Sequence, residues 1–203
     1  MSADTYKTIK APSQGYFIDK RSKFYAFAYP VETEDEIKEH LSALKKKYYD
    51  ARHHVYAWIL GADKAQYRIN DDGEPSGSSA KPIYGQLLSN DLTDIAIFVV
   101  RYFGGIKLGV SGLISAYRTA AQDAIQNADI IEKSIEDCFE LRYDYLLMNE
   151  VMKILKEEPV TIAQQEFDNH CKIIFFTQRC NSEKVKNRIG QISGLILKQN
   201  VFR

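Results

Sequence analysis

The sequence contains few cysteines, no long hydrophobic run and no excess of either charge. Its three cysteines, Cys138, Cys171 and Cys180, form no close Cys-x-x-Cys pair, and their odd number argues against a disulfide framework. No apolar stretch approaches the roughly 20 residues that a membrane-spanning helix needs. The N-terminal sequence lacks the apolar segment of a secretory signal peptide. We therefore expect a soluble, cytoplasmic protein with no membrane partner.

The balance of charge lowers the expectation of bulk nucleic-acid binding. The 203 residues include 27 basic and 27 acidic side chains, so the formal net charge is zero. Many nucleic-acid binders are strongly basic, and this chain is not. Any contact with a polyanion must therefore come from a local patch. The length allows one large domain or two small ones.

The segment 94–128 is the most informative stretch of the chain. Residues 95–100 form an apolar run rich in β-branched side chains, which predicts a strand covered on both faces. Four glycines follow within a short distance, and apolar residues then recur at helical spacing from Leu113 onward. A strand that leads through a glycine-rich loop into a helix is typical of an anion-binding cradle. The same glycines would also permit tight packing of the helix on the strand, and both interpretations stay open.

The remaining pattern predicts two domains, 1–130 and 131–203. In the first, the expected strands are 16–18, 24–31, 53–60 and 66–69, with helices after Thr33 and over 83–88. Thr33 and Glu36 have the spacing of a capping box. In the second, the expected elements are a strand over 135–145, a helix over 147–155, a hairpin of 160–166 and 172–177 turning at Asp168–Asn169, a helix from Val185 to Gly194, and a strand over 195–201. This β-α-β-β-α-β order is typical of a ferredoxin-like domain. The expected fold class is therefore α/β, more exactly α+β.

Charged residues flank the glycine-rich loop and fill the turn before it. Arg101 ends the predicted strand, Lys107 lies within the loop, and Arg118 lies two turns along the predicted helix. The earlier turn contains Asp71, Asp72 and Glu74, near histidines on a predicted strand. Carboxylates and imidazoles can bind divalent metals, but no metal-binding spacing is present. The sequence therefore predicts no metal site and no cofactor.

Three segments resemble the signature of the Impact family. They are HHVYAW at 53–58, NDDGEPSGSSAKPIYGQL at 70–87, and IAIFVVRYFGGIKLGVSGLISAY at 95–117. The Arg-aromatic-aromatic-Gly-Gly core at 101–105, followed by Leu108-Gly109, is highly specific to that family. Together with the fold pattern of the second domain, the resemblance covers nearly the whole chain. The chain resembles the bacterial two-domain members of the family.

The resemblance implies a fold and a cellular role. The first domain would resemble the second domain of ribosomal protein S-five and a domain of elongation factor G. The second would be ferredoxin-like, as in the domain that follows it in that factor. Eukaryotic relatives regulate translation in the stress response by binding an activator of an initiation-factor kinase. The resemblance therefore implies a non-catalytic, translation-linked regulatory protein whose partner is RNA, the ribosome or a translation-related protein.

The expected binding residues lie in the two loops, with no catalytic residue among them and the oligomeric state undetermined. They are Arg101, Gly104, Gly105, Lys107, Gly109, Ser111, Gly112, Asp71, Asp72, Glu74, Ser76, Lys81 and His54. In the family the late loop usually reads Gly-Thr-Gly-Gly, whereas here Ser111 replaces a glycine. A serine at this position is expected to act as a helix N-cap.

Two alternative functions remain open. In the first, the protein is an enzyme or sensor that binds a phosphorylated small molecule or nucleotide, with Asp71, Asp72 and Glu74 holding a divalent metal near the phosphates. In the second, the loops only hold the fold, and the interaction surface lies on the C-terminal sheet.

Overall fold

The computed structural model describes residues 4–167 and 171–200. The chain divides into two compact units. Tyr6–Lys133 forms the first unit, and the chain from residue 134 onward, together with the few residues before Tyr6, forms the second.

The first unit is built around a five-stranded sheet. The elements up to the boundary are β1 (Thr5–Ile9), β2 (Ser13–Asp19), β3 (Ser22–Pro30), α1 (Glu34–Lys47), β4 (His53–Leu60), β5 (Gln66–Asn70), α2 (Ala80–Ser89), β6 (Ile95–Tyr102), α3 (Gly109–Gln126) and β7 (Ile130–Ser134). The strand order in the sheet is β2-β3-β6-β4-β5, and every neighbouring pair is antiparallel. A separate two-stranded sheet pairs β1 with β7.

Helices cover both faces of the five-stranded sheet. The α2 and α3 helices pack on one face through Ile83, Leu87 and Tyr117, among others. The α1 helix packs on the other face through Ile37 and Leu44. The central strand β6 therefore supplies buried side chains to both cores, since successive residues of a strand point to opposite faces. The sequence prediction of a strand covered on both faces is confirmed.

The second unit has the predicted β-α-β-β-α-β order. Its elements are β8 (Glu136–Tyr143), α4 (Met148–Glu157), β9 (Val160–Phe167), β10 (Cys171–Gln178), α5 (Arg179–Ile189) and β11 (Ile196–Asn200). The strand order β11-β8-β10-β9 is wholly antiparallel, and α4 and α5 pack on one face of the sheet. This is the ferredoxin-like arrangement. The expected turn at Asp168–Asn169 lies outside the described residues.

Several boundaries differ from the sequence prediction. The α5 helix begins at Arg179, earlier than predicted, because its first turn is polar and gives no hydrophobic periodicity. It ends at Ile189, since Gly190 rather than Gly194 follows as the C-cap. The short strands β1 and β7 were not predicted. Each is a partly exposed strand of only five residues, and its alternation of apolar and polar side chains is too weak to indicate a strand.

Candidate functional site

Two loops leave the same edge of the five-stranded sheet. The acidic loop, residues 71–79, connects β5 to α2, and the glycine loop, residues 103–108, connects β6 to α3. Because β5 and β6 are each antiparallel to β4, the two strands run in the same direction. Their C-terminal ends therefore lie at one edge of the sheet. The fold brings together the two segments that the sequence analysis singled out.

A buried ion pair joins the acidic loop to the end of β6, next to the glycine loop. The Nη1 atom of Arg101 donates a hydrogen bond of 2.6 Å to Oε1 of Glu74. The hydroxyl of Tyr117, in α3, donates to the same oxygen at 2.7 Å. The side chains of Arg101 and Glu74 are only 8% and 3% exposed. Strand β6, the acidic loop and α3 therefore meet at one carboxylate.

Two aromatic rings flank the guanidinium of Arg101. Its guanidinium lies 5.5 Å from the ring centre of Phe24 and 5.8 Å from that of Phe103, so both rings can attract the cation. Its Nε atom is buried without a hydrogen-bond partner among the described residues. Burial and the negative charge of Glu74 raise the pKa of Tyr117 far above its usual range, which keeps this hydroxyl neutral and available as a donor. Arg101 therefore acts inside the fold rather than as an exposed cation.

Asp71 caps the α2 helix. Its Oδ1 accepts hydrogen bonds from the hydroxyl of Ser79, at 2.5 Å, and from the backbone N–H of Ala80, at 2.9 Å, while its Oδ2 accepts from the N–H of Gly77 at 3.0 Å. Desolvation by burial alone would raise the pKa of Asp71. The hydrogen bonds outweigh that effect and hold the pKa below its ordinary value. The carboxylate therefore already fills the positive end of the helix.

Asp72 links the acidic loop to β4. Its backbone has the left-handed φ of 43°, and its Oδ2 accepts a 2.6 Å hydrogen bond from the N–H of His54. Burial lowers the pKa of His54, although the charge of Asp72 opposes this change. The His54 ring lies on the α1 face of the sheet, whereas Arg101 lies on the face of α2 and α3. The structure therefore does not bring these two predicted site residues together.

The glycine loop packs closely against the turn between β2 and β3. A Cβ on Gly104 would lie 2.1 Å from the carbonyl carbon of Arg21, so only glycine fits there. The N–H of Gly104 also donates to Oγ of Ser22 at 3.1 Å. Gly105 has open space around it, but its φ of +87° requires glycine. At these two positions the glycines serve the backbone of the loop itself.

The start of α3 differs from the expectation for Ser111. The helix begins at Gly109 after Leu108 as N-cap, and no side chain caps it. Ser111 lies in the first turn, so the prediction of a serine N-cap was wrong. Gly109 is the first residue of the helix and has a φ of +75°, and Gly112 lies in its first turn. The sequence alone did not assign these two glycines to the loop or to the helix. Ser76 and Lys81 are both exposed, Ser76 in the acidic loop and Lys81 in the first turn of α2.

The outer side of the glycine loop is exposed and partly apolar. Phe103, Ile106 and Val110 are 53%, 47% and 57% exposed, and Lys107 lies among them in sequence. The β2–β3 turn, which touches Gly104, adds the exposed cations Lys20 and Arg21. We call these six residues the loop surface. None of its three cations has an ion-pair partner within residues 4–167 and 171–200.

A groove between α2 and α3 was not predicted from the sequence. Its volume is about 640 Å³, and it is lined by Gly77, Lys81, Pro82, Gly85, Gln86, Ile114 and Arg118. Only Lys81 of this set was among the expected binding residues. The sequence feature that could have indicated the groove is Gly85, a glycine in the middle of a predicted helix.

The described residues contain no group of three or more His, Cys, Asp or Glu side chains arranged to hold a metal ion. Asp71, Asp72 and Glu74 instead each bond to protein groups. Among the described residues, none of the helices is both long and apolar enough to cross a membrane.

The fold and the joined loops define an α+β protein with a glycine-loop unit followed by a ferredoxin-like unit. The sequence pattern described as the Impact N-terminal domain matches residues 20–125. The chain belongs to the Impact family.

Relatives and a solved structure extend this result along the chain. "IMPACT family member YvyE" of Bacillus subtilis is 29% identical over 166 residues, which cover 82% of this chain and 76% of that protein. An "IMPACT family member" of Haemophilus influenzae is 32% identical over 157 residues, 76% of each chain. A structure described as "Crystal structure of an hypothetical protein" has a TM-score of 0.78 and 24% identity, covering 99% of this chain and 100% of its own. The last similarity shows the fold.

Proposed function

We propose that this chain is a non-catalytic, translation-linked regulatory protein that binds RNA, free or in the ribosome, through the loop surface. Family membership supports a regulatory role. The observation that carries the choice of RNA is the combination of Lys20, Arg21 and Lys107 with an exposed aromatic ring at Phe103. Cations without internal partners neutralise phosphates, and exposed aromatic rings stack on unpaired bases.

The buried contacts beneath the loop surface support this assignment. The Arg101–Glu74–Tyr117 cluster fixes the base of the glycine loop, and the close packing of Gly104 fixes its position against the β2–β3 turn. The exposed groups therefore lie on a backbone that buried contacts hold in place. A preordered surface loses less conformational entropy when it binds. A protein partner would use the same apolar residues, but it would not require the surrounding cations.

Salt-dependent binding of purified ribosomal RNA tests the proposal. A variant with Lys20→Gln, Arg21→Gln and Lys107→Gln keeps side-chain length while removing three positive charges. If each cation contacts one phosphate of single-stranded RNA, the slope of log affinity against log salt should become shallower by about 2. Phe103→Leu should weaken binding by about 1–3 kcal/mol through lost stacking. Fluorescence anisotropy between low and physiological salt measures both effects.

A matched control distinguishes the loop surface from the general charge of the protein. Lys153, Lys156 and Lys198 are exposed residues of the second unit, and changing all three to glutamine removes the same charge. We expect this control to bind RNA as the wild type does. If wild-type protein binds neither ribosomes nor ribosomal RNA at low salt, RNA is not the partner. Capture of a translation protein that depends on Phe103 would then favour the protein-binding alternative.

A further inference from the structure

We infer that the groove between α2 and α3 is a nucleotide-binding site. The groove lies on the outer side of the two helices, whereas the loop surface lies around the glycine loop. Its volume of about 640 Å³ falls within the range of known small-ligand sites. This inference does not rest on RNA binding by the loop surface, because the two sets of lining residues do not overlap.

Two cations of the groove have no internal partner. Lys81 and Arg118 are exposed, and neither forms an ion pair within the described parts of the chain. The contrast with Arg101, which is buried against Glu74, shows that Arg118 is not needed to neutralise a carboxylate of the fold. An ammonium and a guanidinium that share one groove suit a phosphate group, which accepts several charge-assisted hydrogen bonds.

Gly85 gives an independent reason to place a ligand here. Glycine is the least favourable residue in a helix interior after proline, so a glycine in the middle of α2 needs a cause. Apart from its chain neighbours and the backbone of its own helix, no described atom lies within 4 Å of where a Cβ at this position would be, and its φ is not left-handed. Neither packing nor backbone conformation therefore explains the missing side chain. An object outside the chain, lying against the helix backbone at Gly85, would explain it.

The rest of the lining favours a nucleotide over a simple anion. Pro82 and Ile114 provide apolar contacts for a base or a ribose, and the amide of Gln86 can both donate and accept hydrogen bonds at a base edge. A small inorganic anion would use the cations but leave these contacts empty. A phosphate with an attached flat, partly apolar group uses the whole groove.

The nucleotide could be free or part of a single-stranded RNA, and the structure supplies a way to tell these sources apart. Tyr84 precedes Gly85 on α2, and its ring stacks on that of Tyr67 with the ring centres 4.9 Å apart. Tyr67 is 55% exposed at the edge strand β5. Because neither ring lines the groove, we expect an RNA strand that continues past Gly85 to contact this pair and a single nucleotide not to contact it.

The first test measures binding of adenosine and guanosine 5′-monophosphates by calorimetry, with inorganic phosphate and the unphosphorylated nucleosides as reference ligands. We expect at least one nucleotide to bind more tightly than phosphate and its own nucleoside. Arg118→Ala should weaken that binding at least tenfold, and Arg118→Lys should restore part of it. The Lys107→Gln change on the loop surface should have no effect. If neither nucleotide binds better than phosphate, and hexanucleotides also fail to bind at the groove, the inference is wrong.

The Gly85→Ala variant provides the sharper test, because folding and binding should change in opposite directions. The added methyl group meets no described atom beyond its chain neighbours and its own helix backbone, and alanine favours a helix, so the thermal midpoint should stay the same or rise. The affinity for the nucleotide should fall at least threefold, since the methyl group takes up space in the groove next to the backbone of α2. A stable Gly85→Ala protein with unchanged affinity would overturn the inference.

A single-stranded hexanucleotide separates the two sources. If RNA is the ligand, Tyr67→Leu should weaken hexanucleotide binding at least fivefold and leave mononucleotide binding unchanged. If a free nucleotide is the ligand, Tyr67→Leu should change neither. In both cases Arg118→Ala weakens binding. If the Lys20, Arg21 and Lys107 variant lost RNA affinity while Arg118→Ala changed the affinity for no ligand, the result would support RNA binding by the loop surface. It would also refute nucleotide binding in the groove.

Discussion

The acidic loop and the glycine loop lie side by side at one edge of the sheet, yet they use their polar groups in opposite ways. In the acidic loop, Asp71, Asp72 and Glu74 all accept hydrogen bonds from within the chain. In the glycine loop, the side chains of Phe103 and Lys107 point outward. The carboxylates of the first loop are therefore engaged inside the fold, whereas the second loop presents exposed side chains.

This contrast changes how the three carboxylates of the acidic loop are interpreted. Three carboxylates in one turn suggest a metal or phosphate site when only the sequence is known. In the structure, each carboxylate neutralises or caps a group of the fold: a helix end, a strand backbone or a buried arginine. Through Glu74 the acidic loop supports the end of β6, from which the glycine loop leaves, so variants of the two loops should differ in stability and binding.

The largest effect is expected at Glu74. Replacing Glu74 with alanine leaves the guanidinium of Arg101 buried and unpaired, which should lower the free energy of unfolding by about 3–5 kcal/mol. It also removes the acceptor for the hydroxyl of Tyr117. Urea unfolding followed by circular dichroism measures the change. In the folded fraction, RNA affinity should fall less than it does in the Lys20, Arg21 and Lys107 variant, because Glu74 is buried beneath the loop surface and contributes no group to it.

Tyr117→Phe tests the same cluster with a smaller perturbation. It leaves the Arg101–Glu74 pair intact and removes one hydrogen bond to a charged acceptor, so we expect a loss of about 1.5–3 kcal/mol. An equal or greater loss than that of Glu74→Ala would contradict the assignment of Glu74 as the centre of the cluster.

The next effect is expected where the glycine loop meets the β2–β3 turn. In Gly104→Ala, the new methyl group would lie within 2.3 Å of backbone atoms of Arg21 and Ser22, so one of the two backbones must move. We expect a loss of about 1–3 kcal/mol on urea unfolding, typical of overpacking. RNA affinity should fall as well in the folded fraction, because the turn carries two cations of the loop surface.

Gly105→Ala is the matched comparison for Gly104→Ala. Its Cβ meets nothing within 4 Å, and its cost arises only from the left-handed φ of +87°. If both variants lost stability but only Gly104→Ala lost RNA affinity, the packing against the β2–β3 turn would be confirmed as the feature that builds the loop surface. Equal losses of affinity would assign the effect to the flexibility of the loop instead.

The sequence predicted the local secondary structure better than it predicted the contacts between residues that are distant in the chain. The strand His53–Leu60 was predicted with its observed bounds, and the central strand was predicted as buried on both faces, because hydrophobic periodicity is a local property. The burial of Arg101 could not be predicted, since its partner Glu74 is 27 residues away in the chain. The groove likewise depends on how two helices pack. Lys81 and Arg118 were noted from the sequence, but nothing in it placed them in one groove.

The smallest effect is expected at Asp71, and its pH dependence tests whether the charge of the carboxylate holds the start of α2. Asp71→Ala removes the cap of α2 and should cost about 1 kcal/mol near neutral pH. Because the folded-state pKa is lower than the unfolded value of about 3.9, ionised Asp71 stabilises the fold above that value. The contribution disappears as the pH falls through the lower folded-state pKa.

The difference in unfolding free energy between wild type and Asp71→Ala should therefore be constant from about pH 5 to pH 7 and shrink as the pH falls below about 4. Urea unfolding of both proteins over this pH range measures the difference directly, and global acid effects cancel between them. Glu39→Ala, at an exposed position of α1, is the control and should show little difference at any pH. A difference for Asp71→Ala that persisted unchanged at low pH would mean that shape, and not the charge on the carboxylate, holds the start of α2.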